Sequence, residues 1–301
     1  MIPINENDTS PSEEIVNQAT NLKKMMSPTR VITFMSGKVG MGHTTTLVNL
    51  AVALANQMDY QILLFDARRN HPHNNRYQMY DLLGASTQKP LQSVTDGDLP
   101  FEAQILSSRY DPIHIFCMGS NSTRLKADQT EHAQHLEIQL KNLVKSYELI
   151  MLDLGHVYSG YPFNYPALSP ELVTLTTPRN VDRTGCYGML KDIGEVGGQT
   201  HINLVVNMAG HAQQAENVGR GIQTAAKNFL NQDLHVLGSI PLDLDVIDAS
   251  RQHEPFVDMY PDTPASTAIN QIAASLQERH EEYKMTLVKL GGLLVQHLIE
   301  N

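Results

Sequence analysis

Short apolar runs alternate with helical stretches along most of the chain. The first run, residues 31–35, is followed by a glycine-rich segment and then by a helical stretch over residues 44–57. Continuous apolar strands joined by helical crossovers are typical of a parallel sheet covered on both faces. The pattern therefore predicts an α/β domain over residues 30–280, with a mainly parallel sheet of seven or eight strands flanked by helices. Further strands are predicted at residues 61–65, 113–118, 148–152, 172–176, 202–206 and 235–238, and further helices at residues 129–145, 183–196, 216–230 and 264–279.

Two segments flank this domain. Within residues 1–29, a polar stretch predicted to be disordered is followed by Ser12, which predicts the start of a helix that runs to about Met26. Residues 281–301 predict an amphipathic C-terminal helix. This segment carries both lysine and glutamate, and such mixed charge gives little attraction to anionic lipid. Contact with a membrane and packing on the parent domain or on a second chain therefore both stay open.

Composition narrows the function classes. The 301 residues carry 22 Lys and Arg against 32 Asp and Glu, a net charge of -10, which disfavours a general nucleic-acid binder. Two cysteines, Cys117 and Cys186, exclude a disulfide framework and a four-cysteine metal site within one chain, and both are predicted to pack in the core. Without an apolar leader or an apolar run long enough to span a bilayer, the sequence predicts a cytoplasmic location.

The glycine-rich segment carries the main candidate chemistry. It matches the phosphate-binding frame G-x-x-x-x-G-K-[ST], except that His43 stands where lysine is expected. Glycines let backbone N–H groups point at phosphate oxygens, and the following helix presents its N-terminus to the same anion. Thr44 is placed to bind Mg²⁺, and Thr45 to reach an α-phosphate. The nucleotide-binding candidates here are Gly37, Lys38, Gly40, Met41, Gly42, His43, Thr44 and Thr45.

The loop resembles the deviant Walker A motif of the ParA/MinD ATPases, which are P-loop NTPases of the SIMIBI class. In that family two chains enclose two ATP molecules, and the early lysine, here Lys38, reaches the phosphates bound by the partner chain. Residues 147–153, Tyr-Glu-Leu-Ile-Met-Leu-Asp, resemble the Walker B strand, which implies that Asp153 holds Mg²⁺ through water. Asn207 matches the asparagine that contacts adenine, and Pro241 lies in a late segment that is similar to the family, so the resemblance makes both nucleotide-binding candidates. The resemblance implies ATP or ADP with Mg²⁺ as cofactor.

Residues 238–241, 255–257 and 260–266 look most like the flagellar-number regulators called FlhG, FleN or YlxH, a branch of this family. The N-terminal helix is similar to the branch's D-Q-A-x-x-L-R motif. In that branch the motif contacts the flagellar SRP-type GTPase FlhF and stimulates GTP hydrolysis through the glutamine, here Gln18. The matching positions, which the resemblance makes partner-binding candidates, are Asn17, Gln18, Ala19, Leu22 and Lys23.

The resemblance implies further partners as well. Flagellar switch or C-ring proteins, a flagellar transcription regulator and a second copy of the chain are compatible with it. So is peripheral contact with the inner face of the cell membrane or the cell pole.

Three positions depart from the family pattern. His43 replaces the lysine whose charge reaches the β- and γ-phosphates, and a neutral imidazole is a weaker substitute. The family's Asp-x-Asp after the second strand becomes Asp66-Ala67-Arg68, and arginine cannot accept a proton from the attacking water. Val39 stands where glycine is usual. We therefore expect ATP hydrolysis to be slow or lost; a site that binds nucleotide and a loop that has lost binding both remain compatible with the sequence.

The leading hypothesis is a MinD- or FlhG-like regulator of flagellar number or placement that acts through protein partners. One alternative is an active, ATP-dependent dimerising membrane switch of MinD type. A ParA-type partition protein on DNA is a third hypothesis, which the net charge disfavours.

Overall fold

The computed structural model describes residues 29–67, 79–85, 105–117, 138–139, 142–156, 170–196 and 200–278. The predicted N-terminal partner-binding helix, Arg68 and the predicted helix of residues 281–301 lie outside these ranges, and so does most of the helix predicted at 129–145. The division of the chain into a tail, a domain and a C-terminal helix therefore stays a prediction at both ends.

Eight strands form one sheet in the order β3-β4-β2-β5-β1-β6-β7-β8. Neighbouring strands pair in parallel, except for β3 with β4, which are antiparallel. The predicted fold class is confirmed. The strands are β1 Arg30–Ser36, β2 Ile62–Asp66, β3 Ile105–Ser107, β4 Ile113–Cys117, β5 Leu149–His156, β6 Glu171–Thr176, β7 His201–Ala209 and β8 Leu234–Pro241.

Helices cover both faces of the sheet. Alternate residues of β1 enter different cores: Ile32 and Phe34 pack with α1, α5, α6 and α7, whereas Val31 and Met35 pack with α3 and α4. This burial on both faces explains why the strands are continuously apolar. The helices are α1 His43–Gln57, α2 Met79–Leu82, α3 Asn180–Val196, α4 Ala212–Ala225, which continues as a π-helical turn Ala226–Leu230, α5 Leu244–Arg251, α6 Phe256–Met259 and α7 Pro264–Glu278.

The structure corrects several predicted elements. Strand β3 and helices α2, α5 and α6 were not predicted, because three to eight residues give little periodicity. Helix α4 begins at Ala212 rather than Glu216, since the His211 side chain caps it by accepting from the Gln214 N–H, and histidine is not a typical capping residue. Cys186 lies in the interior of α3, fully buried in the core as predicted, and burial raises the pKa of its thiol to about 12.

A buried ion pair joins the first strand to the rest of the domain. Arg30 donates to both carboxylate oxygens of Glu171, at 3.0 and 2.9 Å, and its Nη1 donates to the Leu276 carbonyl of α7 at 2.6 Å. Asn203 adds a bond to the same carboxylate at 3.1 Å. Arg30 is 2% exposed and Glu171 is fully buried, so each charge depends on the other. The cluster fixes β1, β6, β7 and α7 together at the edge of the sheet where β1 begins.

Candidate nucleotide-binding site

The glycine loop, which links β1 to α1, contains two residues with a left-handed backbone. Gly40 and Gly42 have φ angles of 80° and 76°, in the left-handed region that glycine adopts without strain. Gly42 is the N-cap of α1, and no side chain of the described residues caps this helix. Uncapped N–H groups at a helix start, together with the helix dipole, favour an anion. Val39 has no positive φ and is half-exposed, so its side chain fits the loop.

The loop lies directly against the start of α3. A Cβ added to Gly37 would lie 2.2 Å from the Gly185 carbonyl oxygen, and one added to Gly185 would lie 2.5 Å from Cγ of Lys38. The aliphatic stem of Lys38 therefore crosses α3 at Gly185, where a side chain would block it. The lack of side chains at Gly37 and Gly185 thus allows the loop to approach α3 closely and allows Lys38 to pass over this helix.

We expect Gly37→Ala to destabilise the domain by about 1–3 kcal/mol, because its methyl group would meet backbone atoms that cannot rotate away. Urea unfolding followed by circular dichroism measures the change. Gly188→Ala on α3 is the control, since nothing lies within 4 Å of its Cβ position, and it should keep or slightly raise stability. Equal stability of the two variants would contradict the close packing.

His43 contacts the Walker B-type aspartate directly. Its Nε2 lies 2.8 Å from Oδ1 of Asp153, and the same oxygen accepts the Gly155 N–H at 2.8 Å. The imidazole is 9% exposed and the carboxylate is fully buried. The ring also meets the edge of Phe34 in a T-shaped contact, with the ring centroids 6.3 Å apart. This arrangement differs from the one implied by the resemblance, in which residue 43 serves phosphate and residue 153 serves Mg²⁺.

Asn207 holds the other side of the loop. Its side-chain nitrogen donates to the Met41 carbonyl at 2.8 Å, and its oxygen accepts the Met208 N–H at 2.9 Å. A Cβ on Gly42 would lie 2.3 Å from that nitrogen, so this contact requires glycine there. Pro241, at the end of β8, pairs with Ala209 two residues after Asn207. The structure thus brings Asn207 to the loop, while contact of Asn207 with adenine and of Pro241 with nucleotide stays a prediction.

The other candidates gather at the same edge of the sheet. Asp66 ends β2 and pairs in register with Asp153 on β5. Thr44 and Thr45 lie in the first turn of α1, half-buried, and the Thr45 carbonyl accepts from the Asn49 side chain at 2.8 Å. Asn49 in turn accepts the Val257 N–H, which ties α1 to α6. All of these groups follow the carboxyl ends of parallel strands, where open α/β sheets bind ligands.

A family profile described as the CobQ/CobB/MinD/ParA nucleotide binding domain matches residues 32–256. The match begins in β1, includes the glycine loop and Asp153, and ends at the start of α6. The chain belongs to this family. Its place in the MinD/ParA family confirms the predicted fold and the predicted resemblance.

Individual relatives agree with this assignment. The antiactivator FleN of Pseudomonas aeruginosa is 23% identical over 258 residues, which cover 82% of this chain and 86% of FleN. A putative septum site-determining protein MinD of Emiliania huxleyi is 27% identical over 238 residues, covering 76% of this chain and 80% of that protein. The structure of MinD from Pyrococcus horikoshii complexed with Mg-ADP superposes with a TM-score of 0.60 at 21% identity, covering 83% of this chain and 96% of that one.

Two residues of the site escaped the sequence reasoning. Gly185 could have been noticed as a glycine inside a helix, which costs about 1 kcal/mol relative to alanine and often marks a close approach. Gly155, whose N–H donates to Asp153 Oδ1, has a φ of 73° and is the last residue but one of β5, but a single glycine in that context carries little signal. Among the described residues, no helix is long and apolar enough to cross a membrane.

Proposed function

We propose that this MinD/ParA-family protein regulates flagellar number or placement through protein partners, and that its loop holds nucleotide while hydrolysing ATP slowly or not at all. The similarity to FleN over 82% of the chain supports the flagellar role. The glycine loop with two left-handed glycines and an uncapped α1 supports nucleotide binding. Cell-division MinD proteins are relatives too, and the late segments and the N-terminal motif favour the flagellar branch over them.

The contact between His43 and Asp153 carries the hydrolytic part of the proposal. Phosphoryl transfer in P-loop enzymes depends on a lysine that cradles the phosphates and on a carboxylate that supports Mg²⁺. Here His43 stands at the lysine position and Asp153 at the carboxylate position. Their buried side chains form a hydrogen bond of 2.8 Å with each other. The second departure, Arg68, removes the carboxylate that the resemblance places beside the attacking water. Two groups with different roles in hydrolysis are therefore changed together.

The partner role is tested through Gln18. We expect the purified chain to stimulate GTP hydrolysis by the flagellar GTPase FlhF, and we expect Gln18→Ala to remove most of this stimulation, by about tenfold or more, because a positioned side chain in a GTPase site contributes on this scale. Phosphate release from GTP measures it. Asn21→Ala, at an unspecified position of the same motif, is the control and should stimulate like the wild type.

A chain that binds FlhF without changing its GTPase rate would contradict the role of Gln18 and leave binding in place. A chain that neither binds nor stimulates FlhF would contradict this partner altogether. The alternative MinD-type switch, which the MinD relatives support, requires ATP-dependent dimers that sediment with liposomes and a loss of sedimentation when residues 281–301 are removed. Salt-sensitive DNA binding would instead favour the partition hypothesis.

A further inference from the structure

Helix α5 carries apolar residues on two of its faces. Val246 and Ala249 pack in the core that α1, α6 and α7 share. Leu244 and Ile247 lie outside that core and are 77% and 43% exposed. Because residues three apart on a helix are neighbours, these two side chains form an apolar ridge on the outer face. One apolar face of α5 is therefore used by the domain and the other is not.

The chain just before α5 adds a third exposed apolar residue. Leu242 follows the last residue of β8 and is 61% exposed, and its N–H donates to the Ala209 carbonyl at 2.9 Å, which fixes the backbone there. We refer to Leu242, Leu244 and Ile247 as the α5 patch. Single exposed apolar residues are normal on a protein surface, whereas a group of neighbours marks an interaction site.

Acidic residues surround the α5 patch. Residues 242–251 contain three aspartates, Asp243, Asp245 and Asp248, and one basic residue, Arg251. Asp243 caps α5 by accepting the Asp245 N–H at 3.0 Å, and Asp248 accepts from the Tyr260 hydroxyl at 2.5 Å. Hydrogen bonds therefore fix the positions of two of the three carboxylates. A partner of this surface meets an excess of negative charge around aliphatic side chains.

This combination disfavours three classes of occupant. Anionic lipid and nucleic acid carry the same sign of charge as the aspartates. A second copy that used the same patch on both chains would bring two sets of aspartates together, on chains that each have a net charge of -10. A helix with apolar residues on one face and lysine or arginine beside them has neither problem. Its side chains can pack against the ridge of Leu244 and Ile247 while its charges meet the aspartates.

From this surface we propose that the α5 patch docks a basic amphipathic helix of a partner protein. The apolar side chains supply the buried contact, and the aspartates select the charge of the helix and orient it. The inference goes beyond the proposed contact with FlhF, because it involves neither Gln18 nor the glycine loop. It gives the domain itself, and not only the N-terminal segment, a role in holding a partner.

Fluorescence anisotropy with a labelled amphipathic peptide of leucine and lysine, about 15 residues long, tests the inference on the full chain. We expect Leu244→Asp to weaken binding by about tenfold or more, because a carboxylate replaces an apolar side chain that docking buries. The added negative charge by itself would attract the peptide, so a loss of affinity reports the apolar contact. Phe229→Asp is the control. Phe229 is also 77% exposed but precedes the start of β8, at the other end of that strand, and this variant should bind like the wild type.

The charge around the patch is tested separately. Asp248→Asn keeps the size of the side chain and should weaken binding of the peptide by about threefold. A peptide with glutamate in place of lysine should bind the wild type at least about tenfold more weakly than the lysine peptide. Equal affinity for the two peptides would contradict the selection of a basic helix.

Other results would overturn the inference as a whole. One is a wild-type chain that does not bind the lysine peptide, or that binds it no better than Leu244→Asp or Phe229→Asp does. Another is a wild-type dimer, or sedimentation with vesicles of phosphatidylcholine and phosphatidylglycerol, that Leu244→Asp alone abolishes, since this would assign the patch to a second copy or to a membrane. Circular dichroism checks that the variants are folded, and Ile247→Asp takes the place of Leu244→Asp if that variant is not. The FlhF assay with Gln18→Ala decides the proposed partner independently.

Discussion

A chain carrying both His43→Lys and Arg68→Asp should hydrolyse ATP at least about a hundredfold faster than the wild type, whose rate we expect to stay below about 1 min⁻¹. The lysine would reach the phosphates and would release Asp153 from its bond to the imidazole. The aspartate would restore the carboxylate that the family places next to the attacking water. Removal of one such group lowers rates by about 10²–10³ in comparable sites, so their return should be easily measured.

The measurement is phosphate release from ATP in the presence of Mg²⁺. The two single variants show how much each substitution contributes to the increase in rate. Each single variant should gain less than the pair, because each leaves one role unfilled. Adding Asp153→Ala to the double variant should abolish the gain. A wild-type rate that is already above this limit and falls with Asp153→Ala would contradict the loss of hydrolysis. A double variant with the wild-type rate would show that groups beyond these two are missing.

Glu171→Gln is expected to lower the free energy of unfolding by about 3–5 kcal/mol, because it leaves the buried Arg30 guanidinium without its counter-charge. The amide keeps the size of the carboxylate, so the loss reports charge rather than a cavity. Asn203 would also lose part of its acceptor. Urea unfolding followed by circular dichroism at fixed salt measures the change.

Glu216→Gln is the matched control for this experiment. Glu216 and Arg220 form an ion pair of the same residue types on α4, four residues apart, and both side chains are more than half exposed. Solvent-exposed pairs contribute little, so this variant should change stability by less than about 0.5 kcal/mol. If the two variants lost similar amounts, burial of the Arg30–Glu171 pair would not be what makes it important.

Strong local signals made most of the sheet predictable. The seven longer strands could be predicted because both of their faces are buried. Such strands are continuous apolar runs, which are visible in the sequence without an alternation of apolar and polar residues. Strand β3 has three residues and lies at the edge, so its short run carries no such signal. Helix α5 was missed although Asp243 precedes it and caps it by accepting the Asp245 N–H, because apolar Leu242, Leu244 and Ile247 are exposed there and obscure the helical stripe.

The site was predictable in its parts and unpredictable in its connections. The glycine spacing placed the loop, and the pattern of the fifth strand placed Asp153 at its end. The bond from His43 to Asp153 joins residues 110 positions apart, and the two had been assigned to different ligands. Whether this bond forms depends on the distance between the two residues in the folded core, because the histidine side chain is shorter than the lysine that the family has at this position. Likewise, nothing in a single sequence shows that the side-chain amide of Asn207 donates a hydrogen bond to the Met41 carbonyl.

The position of Arg30 brings both ends of the described domain to one end of β1. Its guanidinium binds the Leu276 carbonyl, so the end of α7 and the start of β1 lie side by side, and residues 1–28 and 279–301 attach to the domain at neighbouring points. The glycine loop begins at the far end of β1, a strand of seven residues, about 20 Å away. Thr29 and Glu278, from which the two terminal segments continue, therefore lie near the end of β1 that is opposite to the glycine loop.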